Sequence, residues 1–183
     1  MNLYGPKQLA DSMRTVRKNT ILIAEDIPEA SYSYRATPES RSVAETLLHI
    51  AGLTKIDQRI HEQERLVSLE GVSFSTLAKG LIDAQHQYSK SEIISVLRAE
   101  GDRWCEWVQQ IPESVLAEPV RMPAGSNPGV KSRFEMLLGT KEHEIHHRAQ
   151  LMVIERLLGI VPHLTRNRQA AAETTASAGA SAR

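Results

Sequence analysis

Two four-residue signals limit the architecture of this chain more than anything else in it. Ser89-Lys90-Ser91-Glu92 and Ser132-Arg133-Phe134-Glu135 are capping boxes, in which a serine and a glutamate three residues apart satisfy each other's backbone donors where a helix starts. Apolar residues at helical spacing follow each box. Ile93, Val96, Leu97, Trp104 and Val108 carry a helix predicted over 90–110, which stops before Pro112. The second box opens a helix predicted over 132–158, halted by Gly159 and Pro162. Periodicity supplies two more. Leu9, Met13, Val16, Ile21 and Ile23 predict a helix over 7–25. Val43, Leu47, Leu48, Leu53, Ile56 and Ile60 predict one over 38–66, with Thr37 as N-cap and Pro38 at its first position. A short helix is expected over 76–84. No segment alternates well enough for a sheet. The stretch 112–131, with four prolines and two glycines, reads as a long irregular connection. Four long helices predict an all-α protein, a four-helix bundle.

Composition narrows this further. The chain has 183 residues, enough for one domain and short for two. Residues 167–183 hold seven alanines and no large apolar side chain, so burial cannot offset their ordering entropy. The expectation is a bundle over 1–166 and a disordered tail over 167–183, with a frayed alanine-rich helix as the alternative. Lys plus Arg and Asp plus Glu both total 22. Zero net charge excludes a broad electrostatic nucleic-acid binder and weakens any attraction to an anionic membrane. No membrane span or signal-peptide run is present, so a cytoplasmic location is expected. The lone Cys105 excludes an intrachain disulfide and a cysteine-rich zinc site, and between Trp104 and Trp107 it reads as a packed core thiol.

Chemistry concentrates in the histidines. His143 and His147 lie four apart in His143-Glu144-Ile145-His146-His147, so both imidazoles project from one helix face. That spacing offers two ligands to one divalent metal; a polar seam is the alternative. At about 100° per residue the pair shares a stripe with Met136, Ile154 and Leu158, which points inward. Two neutral imidazoles in an interior need partners, and a metal supplies one for both. His49, on a face with Leu53, Ile56 and Ile60, is the best third ligand. His61 falls with Asp57 and Glu64 and reads as solvated. His86 and His163 read as exposed loop residues, and His146 as a helix-surface or outer residue. Glu144 and Arg148 read as solvated or interface charges. The letters also fit a zinc-protease pattern with Glu144 as base, but the sheet that lines such a cleft is missing. A second apolar stripe, Phe134, Leu138, Ile145 and Met152, lies opposite the histidines and favours a homodimer.

Leu47-Leu48-His49-Ile50-Ala51-Gly52 and residues 143–151 resemble the two signatures of the DinB/YfiT-like superfamily, with Ala149 where that family usually has glycine. Thr37-Pro38-Glu39-Ser40 and Leu157-Leu158-Gly159-Ile160-Val161-Pro162 add to the likeness. The resemblance implies a four-helix bundle whose three histidines, at the positions of His49, His143 and His147, bind a divalent metal, commonly nickel or zinc. It also implies possible thiol chemistry, since characterised relatives include low-molecular-weight-thiol S-transferases and a mycothiol-dependent isomerase. The expected function is therefore a metal-dependent thiol S-transferase or hydrolase acting on a small molecule. The alternatives are a non-catalytic metal-binding stress-response protein and a dimeric scaffold.

Overall fold

The structure, a computed structural model, describes residues 4–83 and 85–181, with side chains described as far as residue 174. Four long helices dominate: α1 (Pro6–Asp26), α2 (Val43–Gln58), α4 (Lys90–Val108) and α6 (Arg133–Leu157). Between them run α3 (Phe74–Ala78), α5 (Glu113–Leu116) and a hairpin of β1 (Pro119–Arg121) with β2 (Val130–Ser132); α7 (His163–Ser181) closes the chain. Helix α1 packs on α4 and α6, and so does α2. The pairs α1/α2 and α4/α6 therefore stand at opposite corners of a four-helix bundle. Among the described residues no helix is long and apolar enough to cross a membrane.

Both expected capping boxes form. Glu92 and Glu135 each accept from the backbone of the cap serine, whose hydroxyl accepts in return. The third lies elsewhere than expected. Helix α2 begins at Val43, capped by Ser42 and Glu45 in the same reciprocal way, while Thr37-Pro38 starts only a turn closed by Ser40. At its other end α2 passes into a π-helical turn, Arg59–Gln63, in which Glu64 N donates to Arg59 O. Insertions of this kind shift the phase of the residues after them. The connection 112–131 is not irregular throughout, since β1 and β2 pair antiparallel within and beside it. Of the short helix expected over 76–84, only the turn 74–78 is present; Ala84 lies outside the described residues.

The C-terminal segment takes the helical form, the alternative given above to a disordered tail. Helix α7 runs to Ser181, with residues 182 and 183 outside the described range. Its side chains from 167 to 174 are exposed, so alanine propensity rather than burial supports the helix there.

Of the three apolar clusters in the core, two are large and the third gathers Ile60, Leu69, Leu77 and Val120. One large cluster gathers Ile23, Ile27, Leu47, Ile50, Leu97 and Leu151; the other Leu9, Met13, Trp104, Val108 and Leu137. Buried polar groups lie between them. Arg17 Nε donates to Glu144 Oε1 at 2.9 Å and Oε2 at 3.1 Å, its Nη2 donates to Oε2 at 2.9 Å, and Thr20 adds a bond to Oε1 at 2.7 Å. Trp104 Nε1 donates to Asp57 Oδ2 at 2.8 Å. Glu144 is thus neither solvated nor an interface charge: it ties α6 to α1 from inside.

Candidate metal centre

Helix α2 delivers His49, and α6 delivers His143 and His147 one turn apart. The Nε2 atoms converge. His143 Nε2 lies 3.2 Å from His49 Nε2 and 3.2 Å from His147 Nε2. One ring nitrogen from each residue falls within 4.8 Å of the others, and among the described residues this is the only such group of three or more His, Cys, Asp or Glu. The rings meet edge to face with centroids 4.4–4.9 Å apart.

This arrangement fits a metal ion better than it fits a hydrogen-bonded trio. His143 Nε2 has either one proton or one lone pair, so it can make a good hydrogen bond to only one of its two neighbours. The tautomer of His147 points the same way. Its Nδ1–H donates to Gln150 Oε1 at 2.7 Å, and Gln150 Nε2 donates onward to His146 Nε2 at 3.1 Å. The Nε2 of His147 is therefore bare. Tetrahedral bonds of about 2.05 Å to imidazole separate ligand nitrogens by about 3.3 Å, close to the spacing here. His143 Nδ1 is buried and makes no hydrogen bond among the described residues.

Electrostatics keep the three rings neutral. Burial, then the Arg41 charge and the neighbouring rings, pushes His49 down to about 4. Burial, then His147, His146 and Arg41, does the same to His143. His147 is lowered chiefly by burial, against which the Gln150 bond acts. Neutral imidazoles are the form that ligates metals.

The remaining histidines divide differently from the sequence reading. His86 is exposed, as expected, and touches Glu92; His146 is exposed too. His61, expected in solvent, is buried with Asp57, and its Nδ1 accepts from Arg133 Nη1 at 3.0 Å. Burial beside that guanidinium holds its pKa near 4. His163, also expected to be exposed, is buried at the start of α7, with Nε2 3.2 Å from Asn19 Oδ1. Cys105 is a buried thiol pushed up to about 11 by its surroundings, as a core role requires. Glu144 faces α1 in its pairing with Arg17, so the zinc-protease reading loses its base. Sequence reasoning missed Gln150 as the partner of His147 and Arg41 as a charge facing the triad. The i, i+3 spacing of His147 and Gln150 was a usable signal for the first; nothing local signalled the second.

Phe134, Leu138 and Ile145 of the second stripe are half-buried against the chain's own core, so much of its apolar demand is met internally.

A family model described as DinB family matches residues 1–176. No curated protein sequence matches the chain. Among solved structures, a DinB-like protein from Bacillus subtilis is 18% identical with a TM-score of 0.61, covering 83% of this chain and 92% of that one. YfiT from Bacillus subtilis, described as "a probable metal-dependent hydrolase with an unusual four-helix bundle topology", is 10% identical with a TM-score of 0.64, covering 85% and 88%. An uncharacterised protein from Clostridium difficile 630 is 17% identical with a TM-score of 0.65, covering 84% and 98%.

Proposed function

The chain belongs to the DinB family, and on that premise we propose that it is a metal-dependent hydrolase in which His49, His143 and His147 hold one divalent ion, nickel or zinc. The observation that carries this reading is the convergence of three neutral imidazole nitrogens, one with its lone pair freed by Gln150. Imidazole donors suit both ions. When bound, such an ion supplies a Lewis acid that lowers the pKa of a water or a thiol. The group offers three protein ligands among the described residues, which suits a site that keeps a position for substrate rather than a closed structural site.

The chain's own residues have definable tasks. Gln150 fixes the ring orientation and tautomer of His147. Burial keeps His49 and His143 unprotonated. Helix α6 is anchored to α1 by the Arg17–Glu144 pair, so the histidines on its adjoining face hold their spacing. The exposed apolar residues Val153, Leu157 and Val161, beside the end of α6, support a homodimer, testable by sedimentation.

The test of the reaction is a screen of nickel- and zinc-loaded protein against aryl esters and amides, with parallel arms adding glutathione, bacillithiol, mycothiol or coenzyme A to an electrophile. Hydrolysis that is lost in His147→Ala is the expected result. Turnover only in a thiol arm would replace hydrolysis by thiol transfer. Silence in every arm, with metal bound, would favour a non-catalytic metal-binding protein.

A further inference from the structure

Two cavities of unlike chemistry border the triad. The first, about 590 Å³, is bounded by His49. Leu48, Gly52, Leu53 and Ile56 of α2 form one wall, and Ile82 and Tyr88 face them. The second, about 700 Å³, is bounded by His147 and also touches His146, Gln150 and Arg41. Both volumes are in the range of small-molecule sites, about 300–1,000 Å³. His143 Nε2 lies 3.2 Å from the Nε2 of each bounding histidine and so links the two.

The walls ask for different ends of a ligand. The first is predominantly apolar; of its polar residues, Glu45, Asp83 and His86 are already engaged and Gln87 is exposed. Glu45 bonds the α2 cap and Arg35, the Asp83 carboxylate accepts from Gln85 N, and His86 touches Glu92. The second carries a guanidinium with nothing to hold. Arg41 makes no hydrogen bond or ion pair among the described residues, although Arg35, six positions earlier, is paired with Glu45. Glu39 lies at the same rim and is not paired with it. A free guanidinium matches a carboxylate or phosphate in both charge and shape. With a cation also held at the triad, two positive centres would border one space, which favours an anionic occupant.

Gly52 supports the apolar half of this assignment. It lies inside α2, where glycine is disfavoured by about 1 kcal/mol relative to alanine. No close contact demands it: an added Cβ would meet Ile82 Cγ1 at 3.5 Å, an ordinary separation. What the glycine provides is open volume next to His49.

We propose that the substrate is an amphipathic anion, its hydrocarbon or aryl body in the Gly52 cavity and its anionic group on Arg41, so that the bond between them lies at the triad. This rests on the metal-site reading for its chemistry but not for its binding, and the test separates the two. The full chain is stripped of metal, so that no ion can hold a carboxylate, and titrated calorimetrically with octanoate, octan-1-ol and acetate. Octanoate should bind about tenfold tighter than octan-1-ol, the lower end for a hydrogen bond to a charged group, and acetate should not bind measurably. Arg41→Gln should erase that tenfold gap. Gly52→Leu should weaken octanoate and octan-1-ol alike by tenfold or more; Ile82→Trp fills the same space from the facing wall and serves if Gly52→Leu does not fold. Equal binding of octanoate and octan-1-ol, or a gap that survives in Arg41→Gln, would overturn the anion anchor. Unchanged affinities in a folded cavity-filling variant would overturn the apolar site. Metal content of the same preparation before stripping judges the metal reading separately. One ion per chain without octanoate selectivity defeats only this inference, and selectivity without metal defeats only the other.

Discussion

Replacing Glu144 tests whether α6 is anchored to α1 through it, and it also decides between a structural and a catalytic glutamate. The Glu144 and Arg17 side chains are 2% and 4% exposed. Three charged hydrogen bonds join them, and Arg17 also donates to the Leu97 carbonyl. Removing one member of such a pair leaves an uncompensated buried charge, at about 3–5 kcal/mol. At about 2–4 °C per kcal/mol for a chain of this size, Glu144→Gln or Arg17→Met should lower Tm by about 6–20 °C. The double variant Arg17→Met/Glu144→Leu should recover most of that loss, because an apolar pair of similar volume is often neutral or better. Gly101 makes room for Arg17: a Cβ there would come within 2.8 Å of Arg17 Cγ, so shortening Arg17 introduces no clash. The assay is thermal unfolding followed by circular dichroism on metal-free protein, with metal uptake measured in parallel. All folded variants should still take up one ion. A Tm loss below about 2 °C for Glu144→Gln would refute the anchoring argument. Normal Tm and metal content with lost turnover would return Glu144 to a catalytic role.

Other outcomes follow from the same structure. Gln150→Ala removes the acceptor that fixes His147, and should weaken metal affinity by about 10–100-fold with Tm of the metal-free form nearly unchanged, read by calorimetric titration. Asp57 is buried, and burial, opposed by its bonds to Thr140 and Trp104, raises its pKa to about 7. A raised carboxyl pKa means the folded state holds a proton that the unfolded state has already lost. Stability from this group is therefore lost as pH rises from about 4 to about 7. The stability of Asp57→Asn relative to the unmodified chain should climb across that window and level off above it, measured by urea titration at each pH. Deleting residues 167–183 should shift Tm by less than about 2 °C, since the side chains described there bury little apolar area; a larger fall would show that the segment docks.

The convergence of His49, His143 and His147 was legible because its information is local. His143 and His147 need only helix periodicity, which the Ser132–Glu135 box guarantees, and His49 needs only the phase of α2. Fold class followed for the same reason, from apolar spacing and caps. The errors have physical causes. Ser42-Val43-Ala44-Glu45 was as good a box as the other two, yet Thr37-Pro38 looked like an earlier start; the chain instead turns there and re-enters at Ser42. His61 was assigned to solvent because the face it shares with Asp57 is charged. Both are buried because Trp104 and Arg133 arrive from α4 and α6 to satisfy them, and no single segment records a partner 47 or 72 residues away. Glu144 was misplaced likewise, its partner Arg17 lying 127 residues earlier. His163 looked like loop because Pro162 looked like an end, whereas proline here precedes another helix.

The central claim is that His49, His143 and His147 bind one divalent ion that clips α2 to α6 in the folded state only. Nickel or zinc at about a hundredfold above its Kd then adds about 2.7 kcal/mol, or roughly 5–10 °C in Tm. The most direct measurement is elemental analysis of metal per chain after loading and desalting. The account predicts one ion in the unmodified chain and in His86→Ala, and almost none in His49→Ala, His143→Ala or His147→Ala. A full ion retained by folded His49→Ala would contradict it.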